Sequence, residues 1–268
     1  MSDDGSVRQR VLVTGGAAGI GLAITRAFLA EGARVHIADS DAGAVAGVTA
    51  DAASAASAAN AAAVSASVCD ITDPAAVEAM FDDLVGTLGG LDVLVNNAGI
   101  AGPTAPVDQY APEEWGAVLA VNLTGTFDVT RRAIPLLKKS SAGSIIVMSS
   151  LAGRFGYPNR VAYATTKWGL VGFTKTLALE LGPLGITANS IHPGGVDGER
   201  VREVLRRRSE ISGRSVEDET ELALDNQSIR QFTEAADIAA LAVFLAGPHA
   251  RTISGQMLPI DGDSKAAQ

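Results

Sequence analysis

Short apolar runs alternate with stretches of helical period along nearly the whole chain. Residues 10–14 form a brief buried strand, a glycine-rich segment occupies 15–21, and Leu22, Ala23, Phe28 and Leu29 open a helical pattern. A second apolar run at 35–38 ends at Asp39, so the opening segment completes a βαβ unit, whose strands must pair in parallel. The alanine-rich stretch 42–67 predicts a surface helix with frayed ends leading to a third strand near 64–68. Thr72 or Asp73 can cap the next helix, with Pro74 at its first position and an amphipathic pattern to Leu88.

The alternation continues with a fourth strand at 91–95 ending at Asn96, Asn97, Ala98 and Gly99, then a long helical region over 112–139 that carries Asn122. A fifth strand at 144–148 ends at Ser149 and Ser150, and a helix over 163–181 stops at Gly182 and Pro183. A sixth strand at 187–191 leads to Pro193, Gly194 and Gly195, and a helix at 235–246 and a strand at 256–260 close the chain. The charged segment 197–232 has no strand pattern and reads either as a lid over a substrate or as a surface helix pair. Such alternation predicts an α/β chain, one domain with a doubly wound parallel sheet, whose ligands bind at the carboxyl ends of the strands. The polar motifs lie at those ends.

Composition narrows the partners. Hydrophobic residues make up 47% and charged residues 19%, enough apolar material for a substantial core. A net charge of −9 opposes polyanion binding, so no nucleic acid is expected. The basic run 200–208 is interspersed with Glu199, Glu203 and Glu210 and reads as a solvated helix face. A single cysteine, Cys69, precludes an intrachain disulfide and fits a reducing compartment. The polar start at residues 1–6 is unlike a signal peptide and no apolar run is long enough to span a bilayer, so a cytoplasmic protein without a membrane partner is expected. Three scattered histidines and one cysteine give no metal spacing.

The glycines at 15, 19 and 21 follow a strand and open a helix, the context in which backbone approaches a pyrophosphate at a helix amino terminus. Asp39 stands 18 residues after Gly21, where a carboxylate accepts hydrogen bonds from an adenosine ribose and repels a 2′-phosphate. Ala18, before the middle glycine, offers no compensating cation, so the expected cofactor is NAD rather than NADP.

Tyr163 and Lys167 are four residues apart on one helix face. A tyrosine ionises near pH 10 and needs a cation beside it to work as a base at neutral pH, and Lys167 supplies one. Such a pair also arises by chance in helices, where tyrosine packs and lysine is solvated; its company decides. Ser150, 13 residues before Tyr163, can hold a substrate oxygen beside the phenol, and Asn122 can hold a water linking Lys167 to solvent. Ser149 competes for the serine role, but the spacing to Tyr163 favours Ser150. Arg154, Phe155, Tyr157 and Trp168 flank these residues and either shape the pocket or pack, and His192 reads as structural.

Taken in order, Thr14 to Gly21, Cys69-Asp70, Asn96 to Gly99, Asn122, Ser150, Tyr163 to Lys167 and Pro193-Gly194 give the chain a resemblance to the short-chain dehydrogenase/reductase family over nearly its full length. The resemblance implies one Rossmann-like domain with a helical substrate lid, usually assembled as a homotetramer or dimer, with Asn122, Ser150, Tyr163 and Lys167 as a catalytic tetrad. It implies that Asp70 contacts adenine, that Asn97 supports the strand ends and that Val196 meets the nicotinamide amide. Gly15, Gly19, Ile20, Gly21, Asp39, Ile71, Ala98, Gly99, Pro193 and Gly194, with Tyr163 and Lys167, complete the implied cofactor set. One departure follows Pro193-Gly194, where the family often carries Thr or Ser and this chain has Gly195-Val196-Asp197. The expected activity is hydride transfer between NAD(H) and a secondary alcohol or ketone. The alternatives are a non-catalytic NAD-binding scaffold or sensor, and an isomerase or dehydratase with transient oxidation.

Overall fold

In a computed structural model, which describes residues 8–54 and 63–267, the apolar runs become a 7-stranded sheet. Strands β1 (Arg10–Thr14), β2 (Arg34–Asp39), β3 (Val64–Val68), β4 (Val93–Asn96), β5 (Ser144–Met148), β6 (Thr187–Pro193) and β7 (Met257–Ile260) pair in parallel, in the order β3-β2-β1-β4-β5-β6-β7. The predicted strands are all present, with β4 starting two residues later than its apolar run and β6 extending to Pro193. The polar start of the chain and the middle of the alanine-rich stretch, 55–62, lie outside the described residues.

Both faces of the sheet are covered. Leu12, Leu94, Ile145 and Val147 enter one core layer while Val13, Val95, Ile146 and Met148 enter the other, as alternate side chains of a strand must. With both faces buried, the central strands β1, β4 and β5 carry apolar side chains at successive positions, which is why those runs are nearly continuous in sequence. Helices α1 (Gly19–Ala30), α2 (Ala42–Ser54), α3 (Pro74–Leu88), α4 (Pro112–Leu119), α5 (Thr126–Leu137), α6 (Val161–Leu181), α7 (Glu199–Ser212), α8 (Val216–Asp225) and α9 (Ala235–Ala246) make up the flanking layers and the charged segment. Asp73, rather than Thr72, caps α3: its carboxylate accepts from Ala75 N at 2.9 Å.

The chain runs outward from β1 to β2 and β3 on one side, then returns to place β4 on the other. The crevice between the ends of β1 and β4 is therefore the topological switch point, where open α/β sheets bind ligands. The charged segment is a helix pair, α7 and α8, and its base is laced to the sheet. Thr233 N donates to Gly195 O at 2.8 Å and Asp197 N to Thr233 O at 3.0 Å. The returning residues 226–229 are sewn to the tail: Asn226 Nδ2 donates to Ala266 O, Lys265 N to Asn226 O, Ser228 Oγ to Asp263 Oδ2 and Ile229 N to Gly262 O.

Candidate active site

The glycine loop is shaped by close approach. Gly15 has a φ of +60°, and a Cβ on Gly21 would lie 1.9 Å from Gly15 O, so no side chain fits at Gly21. A Cβ on Gly19 (φ +50°) would meet nothing within 4 Å, so the loop is open on that side. Gly19, Ile20 and Gly21 lie in the first turn of α1, whose N–H groups have no intrahelical acceptors. The first turn of α1 has neither an acidic residue nor a side-chain cap. A loop of this shape fits a diphosphate. Asp39, at the end of β2, accepts from Ala17 N at 3.1 Å through Oδ2 and from Asp41 N at 3.1 Å through Oδ1. The Asp39 carboxylate is thus held against the glycine loop.

Asn97 joins the two sides of the crevice, its Nδ2 donating to Thr14 O at 3.1 Å and Gly15 O at 2.9 Å. Thr14 Oγ1 accepts from Asn97 N and Ala98 N, both at 3.1 Å. Asp70 is exposed and folds back on Thr72, accepting from its N and Oγ1. The side chain of Ile71 is buried in the core and packs on Gly125, which leaves its backbone as the part that can face a ligand. Beyond the crevice, Pro193 ends β6 and Gly194 packs on Asp261; Val196 is half-buried and pairs with Thr233.

The reactive groups converge where β5 meets α6. Ser149 is buried and its Oγ donates to Lys167 O at 2.9 Å, whereas Ser150 is half-buried with Oγ accepting from Ala152 N at 3.1 Å. This separates the two serines: Ser149 fastens helix to strand, and Ser150 retains an O–H to donate. Lys167 is buried, with Nζ donating to Met148 O at 2.8 Å and standing 5.5 Å from the centre of the Tyr163 ring. Tyr163 and Lys167 are therefore together on the cleft side of α6. His192 is fully buried between Ser150 O and Ser190 Oγ, and burial pushes its pKa down to about 4, so it is neutral at pH 7.

Asn122 departs from the simple picture in two ways. The 112–139 region is not one α-helix: residues Ala120–Gly125 form a π-helix between α4 and α5, with Asn122 inside it. Its amide is nearly saturated, since Oδ1 accepts from Ile100 N at 2.8 Å and Nδ2 donates to Ile100 O at 2.9 Å and Thr166 Oγ1 at 3.0 Å. One lone pair of Oδ1 remains for a water. Gly99 is the neighbour of both groups, since a Cβ there would lie 3.2 Å from Asn122 Oδ1 and 3.6 Å from Lys167 Nζ.

Not every flanking residue joins the cleft. Trp168 projects from the opposite face of α6, half-exposed, and donates through Nε1 to Phe155 O. It lines a groove of about 750 Å³ with Pro106, Tyr157 and Ala164. Arg154 is paired with Asp261. Cys69 is buried and its pKa is pushed up to about 11, so it is an inert thiol. Among the described residues no cluster of His, Cys, Asp and Glu could hold a metal ion, and no helix is long and apolar enough to cross a membrane. A contact that sequence reasoning did not anticipate joins Arg160 to the loop after β4, with Nη1 donating to Gly102 O at 3.2 Å.

Comparison with known proteins places the chain by family and fold. The family model described as enoyl-(acyl carrier protein) reductase matches residues 15–262. A D-beta-hydroxybutyrate dehydrogenase from Cupriavidus necator is 38% identical over 255 residues, 94% of this chain and 95% of that one. The crystal structure of an NAD+-bound xylitol dehydrogenase superposes with a TM-score of 0.86 at 28% identity, covering 95% of this chain and 98% of that chain. An actinorhodin polyketide ketoreductase with NADPH gives a TM-score of 0.87 at 31% identity, covering 95% and 96%.

Proposed function

Because the chain belongs to the short-chain dehydrogenase/reductase family of nicotinamide-dependent oxidoreductases, we propose that it interconverts a secondary alcohol and its ketone with NAD(H), using Tyr163 as the proton-transfer residue. The observation that carries this reading is the junction of β5 and α6, where the Lys167 ammonium lies 5.5 Å from the Tyr163 ring and Ser150 has an O–H to spare.

Gly15, Gly19, Ile20 and Gly21 would hold the diphosphate, Asp39 the adenosine ribose, Asp70 and the Ile71 backbone the adenine. Asn97, Ala98 and Gly99 would line the crevice, and Pro193, Gly194 and Val196 would border the nicotinamide. When bound, the nicotinamide ring accepts or returns the hydride. The chain handles the proton. Ser150 Oγ donates to the substrate oxygen and holds it beside the Tyr163 phenol. In the oxidative direction the phenolate takes the hydroxyl proton as the carbonyl forms; in reduction the phenol returns it. The Lys167 ammonium beside the ring would stabilise the negative charge that develops on the Tyr163 oxygen as its proton moves. The remaining lone pair of Asn122 Oδ1, close to Lys167 Nζ across Gly99, can hold the water that reconnects the lysine to solvent.

Asp39 favours NAD, because its carboxylate is fixed beside the loop and Ala18 brings no cation for a 2′-phosphate. The test is NADH formation with a panel of secondary alcohols. Tyr163→Phe is expected to lower kcat by roughly 10² to 10⁴-fold while NADH still binds. Undiminished turnover in the variant overturns the assignment.

A further inference from the structure

Among the described residues, the Arg160 guanidinium forms no ion pair, and it acts on Tyr110 together with Glu114. Arg160 is half-buried and precedes α6, with its carbonyl accepting the first helical bond from Ala164 N. Its described contacts are a hydrogen bond from Nη1 to Gly102 O at 3.2 Å and a guanidinium carbon 6.0 Å above the centre of the Tyr157 ring. Arg154, the other arginine of the same loop, is paired with Asp261. Among the described residues no carboxylate forms an ion pair with Arg160, although the chain carries 30 acidic and 21 basic residues. A half-buried guanidinium is under-satisfied by one carbonyl, since it carries five N–H donors in a planar fork suited to a carboxylate.

Its position is informative. Arg160 is the N-cap residue of α6, three residues before Tyr163, and its backbone lies outside the helix that carries Tyr163 and Lys167. The loop after β4 runs past both cations: Gly99 lies against Lys167 Nζ, and Gly102, three residues on and at most about 10 Å away, lies against Arg160. The loop after β4 therefore links two cations, with the Lys167 ammonium at one end and the Arg160 guanidinium at the other. The hydroxyl of Tyr110, buried behind Gly102 without a hydrogen-bond partner, adds an unsatisfied donor at the guanidinium end. The Lys167 end faces the nucleotide crevice, which leaves the Arg160 end for the substrate.

We propose that Arg160 is a specificity-determining residue that binds a carboxylate on the substrate, so that the preferred substrates are short 2- or 3-hydroxy acids and the corresponding oxo acids. The proposal rests on the dehydrogenase reading above. The carboxylate would sit about one helical turn from the carbinol carbon held at Tyr163, a separation that a chain of one or two carbons spans.

The experiment compares four- to six-carbon 2- and 3-hydroxy acids with their primary amides, in wild type, Arg160→Ala and Arg160→Lys. The wild type is expected to favour the acid in kcat/KM, mainly through KM, and Arg160→Ala to lower that acid-to-amide ratio by roughly 10- to 100-fold, with partial recovery in Arg160→Lys. A ratio near unity in the wild type, or an equal loss for acid and amide in Arg160→Ala, overturns the proposal while leaving the dehydrogenase reading intact. Calorimetric titration of propionate, against propionamide, into the protein with NADH bound gives a second readout that needs no turnover. Binding of propionate that Arg160→Ala abolishes supports the anion site even if no alcohol is oxidised, an outcome that would sink the dehydrogenase reading alone. Absence of propionate binding to the wild type overturns the proposal.

Discussion

Asp39 does two things at once. Its carboxylate holds Ala17 N of the glycine loop and stands where the adenosine ribose would bind, so removing it acts on loop geometry and on cofactor choice together. Asp39→Ala is expected to weaken NAD binding by roughly 10- to 100-fold, the range for losing hydrogen bonds to a charged group, and to narrow the discrimination against NADP. Apparent KM values for the two cofactors measure both effects, and a wild type that already prefers NADPH refutes the ribose argument. The position of Asp39 was legible in the sequence because it ends an apolar strand at a set distance from the glycines. The loop bond was not, since nothing in the spacing encodes which amide a carboxylate will meet. The same contrast holds for the serines: spacing favoured Ser150 over Ser149, and the bond from Ser149 Oγ to Lys167 O, which spacing does not encode, leaves Ser150 as the serine with an O–H to donate.

Among the secondary-structure elements, legibility followed the environment. Strands buried on both faces announce themselves as apolar runs, and β1, β2 and β5 fall where such runs lie, whereas the edge strand β3, Val-Ser-Ala-Ser-Val, is only partly buried and alternates. Helix α3 starts at a cap and a proline that local chemistry dictates, and Asp73→Ala is expected to cost about 1 kcal/mol of stability, read as a shift in urea midpoint. No measurable shift would mean that Pro74 and tertiary packing alone fix that terminus. The π-helix at Asn122 was not legible, because the 112–139 region keeps a helical apolar pattern throughout. What widens the turn is tertiary: Asn122 bonds both backbone groups of Ile100 in the loop after β4, a contact between elements distant in sequence. Trp168 shows the limit of proximity in sequence, since it lies five residues from Tyr163 and faces away.

At the scale of the whole molecule, two buried histidines make folding sensitive to acid. Burial pushes both His36 and His192 from an ordinary 6.5 to about 4, so each is neutral when folded across a range in which the unfolded chain takes up a proton. Above pH 6.5 neither state is protonated and the histidines contribute no slope. Between pH 6.5 and 4 stability falls, by up to about 3 kcal/mol for each histidine, and below pH 4 this contribution levels off. His36 is held by Ser65 and Ser67, the latter donating to Asp83, at the β2–β3 side of the sheet. Urea unfolding at pH 7.5 and 4.5 should therefore give a smaller pH effect for His36→Gln than for the wild type, and an equal effect would exclude His36 as a source. The stitching of residues 226–229 to the tail at 262–266 has a practical consequence for handling the protein. Cutting the chain after Asp261, or fusing a bulky purification tag directly to its carboxyl end, should loosen α7 and α8 from below, raising substrate KM while dinucleotide affinity holds; a tag belongs at the amino end.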